Sequence, residues 1–222
     1  MAYALDRANK LRHVEFDVGF ETIPPKALAP YISNEFTKIR SVTVPNTVVS
    51  IGDEAFSHSP GLTEVSLPEN VEMIGDYAFE ESGLVGFFRF PRKLKRLGIG
   101  AFKGCAGITE IETNDMLQHI GRHAFHGISA SELTIPNTIL SAAYAFEGAI
   151  SINTVVIAAG TKRIPSKMFA LSTPLSVQMP SSVEHIPYNA FEGATDVTIV
   201  ATGDSFAKQF ADENKINFIE TT

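Results

Sequence analysis

The sequence predicts a repeat solenoid, a curved rod of about nine rungs, mostly strand and loop, with a parallel β-sheet built from strands one repeat apart. Three observations predict it. A small residue followed by a large apolar one recurs as Ala55-Phe56, Ala78-Phe79, Ala101-Phe102, Ala124-Phe125, Ala145-Phe146, Met168-Phe169 and Ala190-Phe191, at spacings of 23, 23, 23, 21, 23 and 22 residues. An apolar residue, followed by Gly or Pro, precedes most of these anchors: Ile51-Gly52, Ile74-Gly75, Leu97-Gly98, Ile120-Gly121, Ile164-Pro165 and Ile186-Pro187. After each anchor comes an alternating segment such as Leu62-Thr63-Glu64-Val65-Ser66-Leu67-Pro68. Apolar residues at its first, fourth and sixth places, closed by Pro, describe a strand with one buried face and a hard stop.

In chain order, the first copies are the weakest. Ala4-Leu5 precedes Leu11, Val14 and Phe16 at the offsets expected of an anchor and its strand. Ile23-Pro24-Pro25-Lys26-Ala27-Leu28 then matches Ile186-Pro187-Tyr188-Asn189-Ala190-Phe191, with Leu28 in place of Phe. Leu28 to Phe56 is 28 residues, so about five extra residues are expected to bulge as a longer loop within 29–36. The seven strong copies follow. No single unit can bury its own Phe, Ile and Leu, so each must stack on its neighbours. At a strand spacing of about 4.8 Å, nine rungs give a rod roughly 40 Å long, with the anchors stacked inside.

Repeats are thus expected over 1–203 and a different unit over 204–222. There Asp204-Ser205 is placed to cap a helix carrying Phe206 and Phe210 on one face; Asn214 ends it and Ile216-Asn217-Phe218 reads as a last strand. Solenoids need such a terminal cover for their last core layer. The chain starts almost on an anchor, which leads us to expect that it belongs to a longer protein.

Composition narrows the function. At 44% hydrophobic and 19% charged the chain has the means to bury a core. A net charge of −7 opposes binding to nucleic acid or an anionic membrane, since phosphate is repelled. No apolar run reaches the roughly 20 residues a membrane-spanning helix needs. The first residues, Met1 to Phe16, lack the basic start and apolar stretch of a secretory signal. The one cysteine, Cys105, leaves no internal disulfide to form.

With these residues set out, a family resemblance follows. Pro68-Glu69-Asn70-Val71-Glu72-Met73-Ile74-Gly75-Asp76-Tyr77-Ala78-Phe79, followed by Leu84 and a strand, resembles the BspA-type leucine-rich repeat. Lys103-Gly104-Cys105 matches the small-Cys position common in that family, and Asp204 to Phe218 is similar to its usual C-terminal cap. The resemblance covers nearly the whole chain. It implies a leucine-rich-repeat solenoid of the α/β repeat class, right-handed and with a parallel sheet. It also implies a bacterial surface or secreted protein that binds host matrix, cells or other proteins, with no shared catalytic residues. The absence of a visible signal or wall anchor departs from many surface members, so a cytoplasmic location stands as the alternative.

Catalytic chemistry is sparse. His119, His123 and His126 are spaced H-x3-H-x2-H, but they straddle the Phe125 anchor with no Cys, Asp or Glu between them. His185 shares the repeat column of His119, three rungs or roughly 14 Å away, too far to share a metal. Surface or structural histidines are the expectation. Cys105 sits in a slot that other repeats fill with small residues, which favours a buried packing thiol over a nucleophile. There is no P-loop, no G-x-S-x-G elbow, no H-E-x-x-H, and no acidic pair repeated at one place in successive repeats. We expect no enzyme activity, no metal and no cofactor.

A partner is therefore expected on the outward strand positions, which line up on one continuous face. These are Arg12, His13 and Glu15; Arg40, Ser41 and Thr43; Thr63, Glu64 and Ser66; Gly86, Phe87 and Arg89; Thr109, Glu110 and Glu112; Ser131, Glu132 and Thr134; Asn153, Thr154 and Val156; Leu175, Ser176 and Gln178. One end is basic, through Arg12, His13 and Arg40. The middle is acidic, through Glu64, Glu110, Glu112 and Glu132. Within it lies Gly86-Phe87-Phe88-Arg89-Phe90, where Phe88 and Phe90 have the buried phase and Phe87 the exposed one; an outward aromatic beside Arg89 has the composition of an interface anchor. The alternative is that Phe87 covers neighbouring strands, or that the register slips there, because only four residues separate Phe79 from Leu84 where other repeats have five. The leading reading is a protein-binding module engaging a host or bacterial surface protein; the second is a spacer or stalk within a longer surface protein. A monomer is expected, with end-to-end stacking through the first rung as the other arrangement.

Overall fold

The structure is a computed structural model that describes residues 12–28, 38–170 and 175–221. Within these the chain winds through about eight turns of a parallel-strand solenoid. Its elements are β1 (His13–Glu15), β2 (Thr22–Ile23), β3 (Ser41–Thr43), β4 (Ser50–Ile51), β5 (Glu64–Ser66), β6 (Met73–Ile74), β7 (Val85–Arg89), β8 (Arg96–Leu97), β9 (Gly107–Glu112), β10 (His119–Ile120), β11 (Glu132–Ile135), β12 (Thr154–Ile157), β13 (Leu175–Gln178), β14 (Val197–Ala201), α1 (Phe206–Asn214) and β15 (Asn217–Glu220). The ninth rung, expected from Ala4-Leu5 and Leu11, and the longer loop at 29–36 lie outside the described residues.

Each turn of the coil has three sides, and each side hydrogen-bonds to its neighbour one repeat on. The first carries the longer strands in three sheets, β1-β3-β5, β7-β9 and β11-β12-β13-β14-β15, all parallel. The second is the short-strand ladder β2-β4-β6-β8-β10, which continues through a bridge from His119 to Ser141. The third is the anchor turn, where amides of the large residues donate to the carbonyl before the next anchor: Leu28 to Ala55, Phe56 to Ala78, Phe79 to Ala101, Phe102 to Ala124 and Phe169 to Ala190. Backbone groups of one coil are thus satisfied by the next, as a fold without long helices requires.

The anchors occupy the space between the sides. Phe56, Phe79 and Phe102 stack with ring centroids 5.2 Å apart, and Phe125, Phe146, Phe169 and Phe191 continue the column at 5.8, 5.7 and 5.0 Å. Inward strand residues such as Val42, Leu133, Val155, Val177 and Ile199 complete one continuous core.

Two expectations need correction. Leu175 faces the core, 4% exposed, so β13 offers only Ser176 and Gln178 outward. Its register explains this: Leu175 pairs with the buried Val197, and Ser176 with Thr154 and Thr198. In α1, whose Ser205 hydroxyl accepts from the Lys208 amide, the buried stripe is Ala207, Phe210 and Ala211, while Phe206 is 37% exposed. Phe206 and Phe210 are four apart, but Phe206, the first helical residue, stays partly exposed, while Phe210 continues the anchor column 6.2 Å from Phe191.

Candidate binding face

The face begins with how β7 fixes its own phase. Phe88 lies 4.8 Å from the Phe102 ring and Phe90 5.8 Å from it, both deep in the anchor column. Two aromatic side chains held inward leave the residue between Gly86 and Phe88 no direction but out, and Phe87 is 54% exposed. The missing residue before β7 is absorbed by its partner strand. Val85 and Gly86 pair with Gly107 and Ile108, then Phe87, Phe88 and Arg89 pair with Glu110, Ile111 and Glu112, so Thr109 is the extra residue of a bulge. Across this pair Arg89 and Glu112 form an ion pair at 3.3 Å. Both are about half exposed, so the pair orients Arg89 more than it stabilises the fold.

Next to β9 the long-strand side is interrupted. β9 and β11 belong to different sheets and are tied at their ends, by the Ser129 amide donating to the Ile108 carbonyl and by the Thr113 hydroxyl donating to Thr134. Between those ties a cleft of about 660 Å³ opens, lined by Glu110, Ile111, Glu112, Asp115, Glu132 and Thr134, with Phe87, Pro136 and Ala158 at its margins. Two features of the sequence coincide with it. The turn between Phe125 and Phe146 is only 21 residues long, against 23 for the turn before it. Thr113 stands where other turns place Leu67, Phe90, Ile157 or Met179, and a hydroxyl bonded to a carbonyl fills less space than those side chains. On the other flank of β7 a smaller cleft of about 240 Å³ separates Val65, Ser66 and Leu67 from Phe87–Pro91. Phe87 forms the rib between the two.

The structure therefore brings together Phe87, Glu110, Glu112 and Glu132, with Arg89 paired to Glu112. It does not bring in the rest. Glu64 is exposed on β5, opposite Ser41 in register, and lines neither cleft. Arg12, His13 and Arg40 lie at the β1–β3 end, where Arg40 donates to the Gly61 carbonyl and the His13 ring meets the Ser41 hydroxyl at 2.8 Å. Asp115 and Thr113 join the cleft without having been singled out from the sequence. The Thr113 departure from the apolar column was the signal available.

Other polar groups gather on the anchor turns. Glu147 accepts from His123 at 2.6 Å and from Arg122 at 3.0 Å, Arg122 lies over the Tyr144 ring at 4.8 Å, and Lys167 donates to the Tyr144 hydroxyl at 2.9 Å. Burial disfavours the charged form of Glu147, but the His123 and Arg122 hydrogen bonds outweigh it and hold the carboxyl below its ordinary range. These groups lace adjacent turns together. His126 lies with its ring 5.9 Å from His123, and among the described residues no three His, Cys, Asp or Glu side chains gather as a metal site. Cys105 is fully buried, donating to the Phe79 carbonyl at 2.9 Å.

A family model for the BspA type leucine rich repeat region matches in six copies, including residues 2–105, 26–142 and 84–198. No curated protein matches in sequence. Among solved structures, a leucine rich cell surface protein from Faecalibacterium prausnitzii is similar at 18% identity and a TM-score of 0.49, over 86% of this chain and 69% of that one. A leucine rich repeat protein of T. pallidum is similar at 16% identity and 0.48, over 95% and 86%. The pneumococcal vaccine antigen PcpA is similar at 14% identity and 0.47, over 96% and 78%.

Proposed function

The chain belongs to the BspA-type leucine-rich repeat family, and on that premise we propose that it is a non-catalytic protein-binding module whose binding surface is the long-strand face around β7 and β9. One observation carries this reading: Phe87 stands 54% exposed between two clefts, with Val85 and Arg89 outward on the same strand and mostly Thr, Ser and Glu on the strands around it. Exposing an aromatic ring costs solvation that a solvated strand avoids, and interfaces concentrate such residues at their anchors. We extend the proposal to a bacterial protein acting at the surface or after secretion, in adhesion to host or neighbouring cells, which is the setting the family resemblance implies. No helix among the described residues is long and apolar enough to cross a membrane.

The test compares wild type with Phe87→Asp in pull-downs from host-cell and bacterial lysates, after circular dichroism has shown both folded. An exposed side chain leaves the fold intact when changed, so the variant is expected to keep its spectrum and lose a partner that wild type retains. A partner held equally by both proteins contradicts this surface.

A further inference from the structure

We propose that the cleft between β9 and β11 takes an extended, arginine- or lysine-rich segment of a protein partner. This rests on the reading of the strand face as a binding surface and specifies the chemistry of its occupant. Charge is the first argument. Glu110, Glu112, Asp115 and Glu132 line the cleft, and no Lys, Arg or His does. Arg89 reaches Glu112 from outside the cleft, which leaves Glu110, Asp115 and Glu132 to attract a cation.

Spacing is the second argument. Glu110 and Glu112 flank the buried Ile111 on one strand, so both project to the open side at a separation of about 6.7 Å. An extended segment presents every second side chain to one side at that same period. Glu132 and Thr134 on β11 repeat the alternation across the cleft. The carboxylates do not converge: among the described residues no three acidic or other ligating groups are grouped to hold a metal ion. A row of separated carboxylates suits separated cations better than one divalent ion. The apolar margin of Phe87, Pro136 and Ala158 suits the aliphatic stems of Arg and Lys, with the Phe87 ring available for cation–π contact.

The experiment uses the full chain and a blocked, fluorescein-labelled decapeptide of alternating arginine and serine, read by fluorescence polarisation at low salt. Saturable binding is expected, weakened about tenfold in the E110Q/E132Q double variant, as two rim charges imply, and unchanged in E184Q/E213Q, which removes the same charge elsewhere. A peptide of the same composition with its arginines contiguous is expected to bind less tightly. No binding, equal weakening in both double variants, equal affinity for the contiguous peptide, or displacement by calcium alone each overturns the proposal. If Phe87→Asp loses a lysate partner while the decapeptide fails to bind, the face is a binding surface and the cationic occupant is wrong. If the decapeptide binds through Glu110 and Glu132 while Phe87→Asp captures all that wild type does, the cleft stands and the role given to Phe87 falls.

Discussion

Cys105 shows how a single side chain is tuned by its place in the coil. Its thiol is buried between turns, donating to the Phe79 carbonyl and lying 3.3 Å from the Ser82 hydroxyl. Burial pushes its pKa up from 9.0 to about 11, against the smaller opposing pull of the Ser82 hydrogen bonds. The thiolate is the reactive form, so we expect no modification by a thiol reagent at neutral pH in the folded protein and full modification once urea unfolds it. The same shift carries a pH dependence. The unfolded thiol ionises near pH 9 while the folded one stays protonated, so its contribution to stability is complete below about pH 9 and is lost as pH rises through about 11. Urea midpoints of wild type and Cys105→Ala, compared at pH 8 and pH 10.5, check this: the advantage of wild type should shrink at the higher pH. A constant difference would show that ionisation of Cys105 is not linked to folding.

At the scale of one element, the anchor turn is governed by two columns of left-handed backbone. Two residues before the anchors, Lys26, Glu54, Tyr77, His123, Tyr144 and Lys167 have φ between 55° and 60°. A side chain in this region costs roughly 1–2 kcal/mol, offset here because these amides donate to the following coil, as Lys26 does to Asp53, Glu54 to Asp76 and Tyr144 to Lys167. Two residues after the anchors the same conformation recurs, at φ 73° in Gly127 and 74° in Gly148. These two differ in their surroundings. A Cβ on Gly127 would find its nearest atom at 3.6 Å, whereas on Gly148 it would run into the His126 ring. We therefore predict that Gly127→Ala costs about 1 kcal/mol, the strain alone, and that Gly148→Ala costs more. Chemical denaturation of the two variants decides it; equal losses would mean that His126 moves aside freely.

For the whole molecule, stability is a sum over neighbouring turns, and the three sides do not contribute evenly along the rod. The long-strand side is interrupted at β5/β7 and at β9/β11. At both places the short-strand side continues, through β6–β8 pairing at the first and the His119–Ser141 bridge at the second. Beyond them β11 to β15 run as one sheet of five strands. Hydrogen exchange followed by mass spectrometry is expected to show faster opening in 109–113 than in 154–157 and 197–201, with the buried anchor turns protected throughout. Uniform protection along the strand side would mean that the steps carry no mechanical weakness. Local looseness at the β9/β11 step would let the cleft adjust to an incoming segment at little cost to the rod.

The sequence by itself determined the repeat, its period and the core. A Phe about every 23 residues can be buried only by stacking; strand alternation favours Phe88 and Phe90 inward and Phe87 outward, but the short spacing before β7 leaves that register open until the pairing with β9 fixes it. It also located the acidic character of the middle rungs. What it left open was which outward residues meet. Glu64 and Glu110 look equivalent along the chain, yet only Glu110 reaches the cleft with Glu112 and Glu132. That difference comes from small offsets between neighbouring turns: a bulge at Thr109, a turn two residues short, and Thr113 in an apolar column. Each is an irregularity of one or two residues with little weight in a periodic pattern. Stacking converts them into displacements of whole strands, because every coil must sit on the one before it, and only the tertiary structure records where the face opens.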